Sequence, residues 1–517
     1  MISQADENVT TGERKLHAWS WVFTASHQLK NVALPLVAFS LLQNNPSKTI
    51  IFSVVCAVFA AIWGILQARN FRYSVADGEL LVRAGVWTKT IKHIPFSRIQ
   101  SINQRRGLFH RLLNVTELRL DSASGGKHEA LMKVLSLEAA ANLEELLRSA
   151  ALPLNAVAPN VDQSNLGDGV LKQKILHRLD LGELVRHGLV SNQSIVVLAA
   201  GLGILSKNSE HLRQFTFLTE LVAPLRYRVF QDYALHHLLL MSVLGLLSLF
   251  ALTVFLRIFS IGFAIFKYYG FKLEIEDDGL HAEYGLLNKV RCGARVSRLQ
   301  RLVLVQSWVH RLLGRCRLAV DVVGGLDKDR SGAEARLREL APIATPAQAD
   351  ALLSVCIFNF DLAKLSWQPL HPAAQMRRFR QSMMWMLPVL LTLTGIDALA
   401  NWALPKIALF PLCALLCFSL WIYARAWSRF TAYAEHAECL VYRTGVVTQR
   451  WIIVMPSRLQ SVTLLESKLD RRNGTQRLRA DTQGGSCKGY ALDIPYLSFV
   501  DAQRLRTLIW EKITQTH

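Results

Sequence analysis

The chain states one pattern three times, and that repetition limits what it can fold into. Ser97-Arg98-Ile99-Gln100, Ser297-Arg298-Leu299-Gln300 and Ser457-Arg458-Leu459-Gln460 head three blocks that stay in register over dozens of residues. In each block a glycine stands thirteen residues before the arginine (Gly85, Gly285, Gly445) and a basic residue thirteen after it (Arg111, Arg311, Arg471). An aspartate follows the arginine by twenty-three (Asp121, Asp321, Asp481), and then comes a glycine pair (Gly125-Gly126, Gly324-Gly325, Gly484-Gly485). Offsets held so often restrict the chain to one supersecondary unit used repeatedly. Each block also follows long apolar segments, so the unit reads as a membrane hairpin plus a small β domain.

Six spanning segments are expected: Val32–Leu42 with Ile50–Leu66, Leu189–Leu205 with Leu238–Leu256, and Met383–Leu399 with Ile407–Tyr423. Several sit near the lower length limit for crossing roughly 30 Å of hydrocarbon. The first needs Trp19-Ser20-Trp21-Val22-Phe23 or a tilt to complete it. Charged residues at 19% and hydrophobic ones at 51% place the chain between an ordinary soluble protein and a transporter buried in lipid. The first seventeen residues are polar and no cleavable apolar run follows them promptly, so the N-terminus is expected to stay inside. Arg69, Arg72, Lys267, Lys272, Arg425 and Arg429 follow the second member of each pair, which puts all three β domains on the cytoplasmic face. The loop Ser206–His236 is the exception, with Lys207, Arg213, Arg226 and Arg228 among apolar residues, and reads as a helix on the membrane surface.

These segments divide the chain into a first transmembrane hairpin (16–70), a first β domain (71–150), a linker (151–175), a second hairpin with a long extracytoplasmic loop (176–270), a second β domain (271–356), a third hairpin (370–429) and a third β domain (430–515). Linkers Ala151–Gly169 and Leu326–Thr345, rich in Ala, Pro, Asp and Ser, predict partly independent domains. The formal charge of +20 is spread over membrane flanks and three domains rather than gathered on one arm, which argues against nucleic acid and for attraction to anionic lipid. None of the eight cysteines forms a CxxC pair, so no metal site is expected and the location reads as reducing.

Within a block, short strand-like runs (Phe71–Val75, Leu80–Arg83, Lys89–Ile94, Ile99–Gln104) precede a period-two segment such as Leu118-Arg119-Leu120-Asp121. Asp77-Gly78 and Asp278-Gly279 are tight-turn signals; the third block has Glu435-His436-Ala437-Glu438 there and needs another or longer turn. Helical patterns close the blocks at Leu137–Leu147, Pro346–Val355 and Phe499–Ile513. Strands followed by one amphipathic helix give an α+β order, with the helix capping a bent sheet or open barrel.

These residues resemble the bacterial pleckstrin-homology-like (PH-like) membrane-flanked domain family, whose hairpin-anchored β domains carry an [Ile/Leu]-Gln motif after an arginine. The resemblance runs from Leu16-His17 through Leu176-His177 and Leu370-His371, each opening a unit, to the last helix. It implies an α+β membrane protein in which six transmembrane helices form three hairpins, each followed by a PH-like small β-barrel or sandwich closed by a C-terminal helix. It carries over no catalytic activity and no cofactor. The third block departs from it at Arg471-Arg472-Asn473-Gly474, where the others have Arg111-Leu112-Leu113-Asn114 and Arg311-Leu312-Leu313-Gly314.

Two roles compete for the repeated polar residues. Arg98, Arg298 and Arg458 recur with Asp121, Asp321 and Asp481, which suits an arginine fork on a neighbouring carboxylate. Together with Gln100, Gln300 and Gln460, and with Arg111, Arg311 and Arg471, the same arginines suit donors to an anionic headgroup or a peptide carboxylate. Arg257 reads as a snorkelling side chain at a span end, and Asp397 as part of the turn around Gly395–Pro405. GxxxxGK[ST], HExxH and GxSxG are absent, so the chain reads as no enzyme. The expected function is multivalent binding or scaffolding at the inner face of the cell membrane, contacting anionic lipid, a membrane protein partner or both. The alternative is an accessory of transport or export whose hairpins form or gate a path.

Overall fold

The computed structural model describes residues 14–15, 20–24, 46–76, 79–85, 90–96, 99–122, 130–151, 174–191, 236–276, 279–322, 337–357, 360–400, 406–482 and 491–514. The first repeat contains β1 (Arg14–Lys15), α1 (Pro46–Arg69), β2 (Arg72–Ala76), β3 (Glu79–Ala84), β4 (Thr90–Pro95), β5 (Ile99–Arg106), α2 (Leu108–Leu112), β6 (Val115–Ser122), β7 (Ala130–Ser136) and α3 (Leu137–Ala151). The second contains β8 (Lys174–Arg178), α4 (Leu181–Val190), α5 (His236–Tyr268), β9 (Lys272–Glu276), β10 (Gly279–Tyr284), β11 (Lys289–Arg295), β12 (Leu299–Ser307), α6 (Trp308–Leu312), β13 (Cys316–Val322), β14 (Glu339–Ala344) and α7 (Pro346–Cys356). The third contains β15 (Gln368–Pro369), α8 (Ala373–Ala400), α9 (Lys406–Phe430), β16 (Ala432–Glu435), β17 (Leu440–Thr444), β18 (Thr448–Val454), β19 (Leu459–Leu465), α10 (Lys468–Asn473), β20 (Thr475–Thr482), β21 (Leu492–Ser498) and α11 (Phe499–Thr514). The closing helices fall where the apolar stripes place them.

Ala76 pairs with Glu79, which places the first turn at the expected Asp77-Gly78. Glu276 pairs with Gly279, so Gly279 opens β10 and the second turn falls one residue before the expected Asp278-Gly279. In the third repeat Glu435 pairs with Leu440, and the His436 amide donates to Cys439 O at 2.9 Å across a longer turn. The repeated glycine is conformational: Gly85, Gly285 and Gly445 have φ of 126°, 113° and 109°. A Cβ on Gly445 would lie 1.9 Å from Thr448 O.

Each repeat supplies four strands and then three, and the sheets do not respect repeat boundaries. The three late strands of the first repeat merge with the four early strands of the second in a seven-stranded sheet of order β7-β6-β5-β11-β10-β9-β8. The second and third repeats merge likewise, in the order β14-β13-β12-β18-β17-β16-β15. The expectation of partly independent domains is therefore corrected: antiparallel ladders β5·β11 and β12·β18 fuse them. One apolar core runs through the second junction, with Leu302, Leu304 and Cys356 packed in the same cluster as Val441, Ile453 and Met455. Ordinary backbone hydrogen bonding at two strand edges, which would otherwise be exposed to water, supplies the continuity.

The expectation of six transmembrane helices in three hairpins is also corrected. Among the described residues two helices are long and apolar enough to cross a membrane, Ile51–Arg69 and Ser242–Tyr268. The long helices of the third repeat are partly committed to its β domain. Arg377 at the start of α8 pairs with Asp470, and Ala424 and Trp427 near the end of α9 are buried. The expected span at Leu189–Leu205 begins inside α4, which docks on α5 so closely that a Cβ on Gly188 would lie 2.4 Å from Ile261 Cα. Arg257 is not snorkelling: its guanidinium donates to Leu189 O at 2.6 Å and holds the end of α4. Val32–Leu42, residues 192–205 and most of Ser206–His236 lie outside the described residues.

Candidate functional site

The repeated basic residue after each motif crosses to the next repeat. Arg111 on α2 donates to Leu286 O at 3.2 Å. Arg311 on α6 donates to Val446 O at 3.0 Å and Val447 O at 3.4 Å, in the same loop one repeat later. That loop follows the positive-φ glycine, and in the second repeat it rests on the end of the apolar helix: the Gly285 amide donates to Tyr269 O at 2.9 Å and the Leu286 amide to Phe266 O at 3.2 Å. The first seam is thus held at the level where α5 ends. Arg471 is 72% exposed, with Glu466 at 3.9 Å.

The [Ile/Leu]-Gln motif is a β-bulge. The ladder register shifts between Ile99 and Ser101, between Leu299 and Arg301, and between Leu459 and Ser461, so Gln100, Gln300 and Gln460 are the extra residues. Gln300 is buried, whereas Gln460 is exposed. The bulge also changes which residue faces the aspartate. Asp321 stands opposite Arg301 and accepts from its Nε at 2.8 Å, so the expected Arg298–Asp321 pairing is not the one formed. Arg298 is half-buried, and burial with the nearby charge of Arg295 pushes its guanidinium below the usual arginine value. Asp481 accepts from the Thr482 amide at 2.9 Å. Arg458 donates to Val296 O at 3.0 Å, just before the motif of the second repeat, and to Leu299 O within it. Arg98 and the side chains of Gln100 and Asp121 lie outside the described residues.

Beside these seams the short helices expose apolar side chains. Leu108, Phe109 and Leu112 on α2, with Phe109 at 72% and Leu112 at 83% exposure, flank Arg111. Trp308 and Leu312 on α6 flank Arg311. The neighbouring loops add Leu286 and Val447, also exposed. In the third repeat the corresponding helix is more basic, with Lys468, Arg471 and Arg472 around Leu469. Apolar side chains fringed by arginine at the end of a membrane-length helix suit the bilayer interface. This apolar half was not singled out in the sequence; its signal is two or three large apolar residues in a five-residue helix with no buried apolar face.

A clamp joins each leading helix to its β domain, and each repeat builds it differently. In the first repeat Phe23, within the short helical stretch 20–24, lies 4.0 Å from His110, ring centroid to centroid. Glu183 accepts from Arg315 Nη2 at 2.8 Å and from its Nε at 2.9 Å. Arg377 pairs with Asp470. Asp470 stands where the other short helices have His110 and His310, so the third clamp is an ion pair within reach of its own short helix. In the second repeat the histidines are also buried. Burial, opposed by Glu339 and reinforced by Arg317, His310 and Lys267, pushes His187 down to about 4. Burial and Arg317 likewise push His310 down to about 4.

A histidine depressed when folded protonates first in the unfolded chain, so its contribution is present above about pH 6.5 and is lost as pH falls towards 4. At about 1.4 kcal/mol per pH unit, His187 costs the second repeat up to roughly 3 kcal/mol over that range. Thermal unfolding followed from pH 7 to 4 is expected to show this fall. His187→Phe, which keeps a ring against Tyr268 and removes one of the two depressed histidines, is expected to reduce the fall and leave the part due to His310.

Among the described residues no group of His, Cys, Asp or Glu is placed to hold a metal ion. The bacterial PH domain family matches the chain three times, over residues 30–151, 222–346 and 388–513. The chain is also similar to the UPF0699 transmembrane protein YdbT of Bacillus subtilis (strain 168), at 22% identity over 329 residues. That match covers 61% of this chain and 64% of the relative, so less than two thirds of the relative's length. No solved structure matches significantly. Three family matches over three fused β units, with membrane-length helices and a transmembrane relative, place this membrane protein in the bacterial PH domain family.

Proposed function

We propose that the protein is a non-enzymatic binding and scaffolding module whose fused PH-like domains rest on the anionic cytoplasmic leaflet of the cell membrane. The observation that carries this reading is the pairing of exposed Phe109, Leu112, Trp308 and Leu312 with Arg111 and Arg311 at the repeat seams. A lysine or arginine close to an anionic surface contributes about 1 kcal/mol, and the apolar side chains add burial in the acyl boundary. Several weak contacts on one rigid array act together, because fused sheets fix their spacing. The seam arginines donate to loop carbonyls with part of their fork, and their exposed remainder is available to headgroup phosphates. A membrane protein partner would compete for the same apolar faces.

The test is amide hydrogen exchange of the full chain in nanodiscs of phosphatidylcholine alone and of phosphatidylcholine with phosphatidylglycerol. Exchange in residues 108–112 and 308–312 is expected to slow when anionic lipid is present, and to speed up again in a Leu112→Asp, Leu312→Asp variant. Equal exchange in both lipid compositions counts against lipid contact.

A further inference from the structure

The two terminal sheets are the two halves of a sheet that the chain builds twice internally. The first has four strands, β1-β2-β3-β4, and ends on β4; the last has three, β19-β20-β21, and ends on β19. Each internal sheet joins three such strands to four such strands through the counterparts of these two edges, β5 on β11 and β12 on β18. The register is the same both times. Arg106, eight residues after its motif arginine, pairs with Lys289, nine before the next; Gln306 and Gln449 keep those offsets. Among the described residues neither outer edge, of β4 or of β19, has a strand partner.

Exposure marks the same two edges. Thr90, Lys92 and His93 on β4 are exposed where Val290, Cys292 and Gly293 of β11 are buried. On the other side Gln460 is exposed where Gln300 is buried. Arg471, whose counterparts Arg111 and Arg311 grip the next repeat, reaches outward. We infer that β19 of one copy pairs with β4 of a second copy, head to tail, in the register of the internal seams. Thr463 then faces Lys92, and Leu464 faces the exposed Ile91. The completed sheet has seven strands in the internal order. Lys92 blunts the edge against indiscriminate pairing, so the association is reversible. Because the two edges differ, the contact is heterologous and propagates into a ring or a filament.

The test mixes full-length Lys92→Cys and Thr463→Cys chains in one detergent under mild oxidation. A disulfide-linked dimer joining positions 92 and 463 is expected in the mixture and from neither variant alone. Adding Arg471→Ala to the second variant is expected to lower the yield several-fold. A mixture that gives no such link, while both variants keep the wild-type thermal transition, overturns the inference. In a chain carrying both Lys92→Cys and Thr463→Cys, a link confined to that single chain also overturns it. Should either variant fold poorly, the wild-type mass measured across a concentration series decides: growth supports head-to-tail pairing, and a strict monomer at every concentration sinks it.

Discussion

Asp470→Ala is expected to lower the stability of the third repeat by about 3–5 kcal/mol, the cost of breaking a buried ion pair from one side. Asp470 is buried and faces Arg377, which is itself largely covered and would be left without its counter-charge. The same carboxylate accepts from the Ser467 amide at 2.9 Å and from Thr475 Oγ1 at 3.0 Å, closing a capping box at the start of α10. Burial alone would raise its pKa, but Ser467, Thr475 and Arg377 together hold it below the usual carboxylate range. A carboxylate depressed when folded contributes stability above its unfolded value that is lost as pH falls through the folded one, so the variant's deficit is expected to shrink in acid. Thermal unfolding of wild type and variant from neutral to low pH measures both effects. The first repeat offers a rescue: Arg377→Phe with Asp470→His installs the ring pair formed by Phe23 and His110, and is expected to recover part of the loss. A rescue that fails while each single change is costly would mean that the clamps are not interchangeable.

The sequence made the unit legible and left its joints hidden, for identifiable reasons. The first Asp-Gly turn, the helix-closing stripes and the repeated glycine are local: Gly285 needs its φ of 113° whatever lies elsewhere. The arginine–aspartate pairing misled because Gln300 is an inserted residue, and a bulge resets the two-residue alternation on which facing positions are counted. Arg301, three residues beyond Arg298, thereby meets Asp321, whereas the other repeats place Ser101 and Ser461 opposite their aspartates. Strand periodicity reports which face a residue occupies and says nothing of which edge pairs with which, so β5·β11 and β12·β18 left no trace in the pattern. Hydropathy misjudged the helices for a related reason. An apolar stretch that ends in Trp427 against a β core counts towards a span in a sliding window, although its last turns belong to the domain.

Arg458→Ala is expected to uncouple the third repeat from the second. Its guanidinium joins Val296 O and Leu299 O across the seam, and its charge also bears on buried Cys356, so it sits inside the junction rather than on a recognition surface. Hydrogen bonds from a charged donor contribute about 1.5–3 kcal/mol each, and Val296 O keeps the Leu299 amide when the guanidinium is removed. The expected total is roughly 3 kcal/mol or more, concentrated at a single interface. Fused repeats that unfold together through a shared core should then separate, with a lower transition for the third repeat preceding that of the rest. Arg458→Lys keeps a charge without the fork and is expected to fall between. Calorimetry resolves the transitions, and bound lipid measured on the same samples separates structure from recognition. Early unfolding with an unchanged lipid profile makes Arg458 a strut of the array. Intact cooperativity with lost lipid would instead return the repeated arginines to the role of headgroup donors, and would leave the seam to Arg301, Arg311 and the β12·β18 ladder.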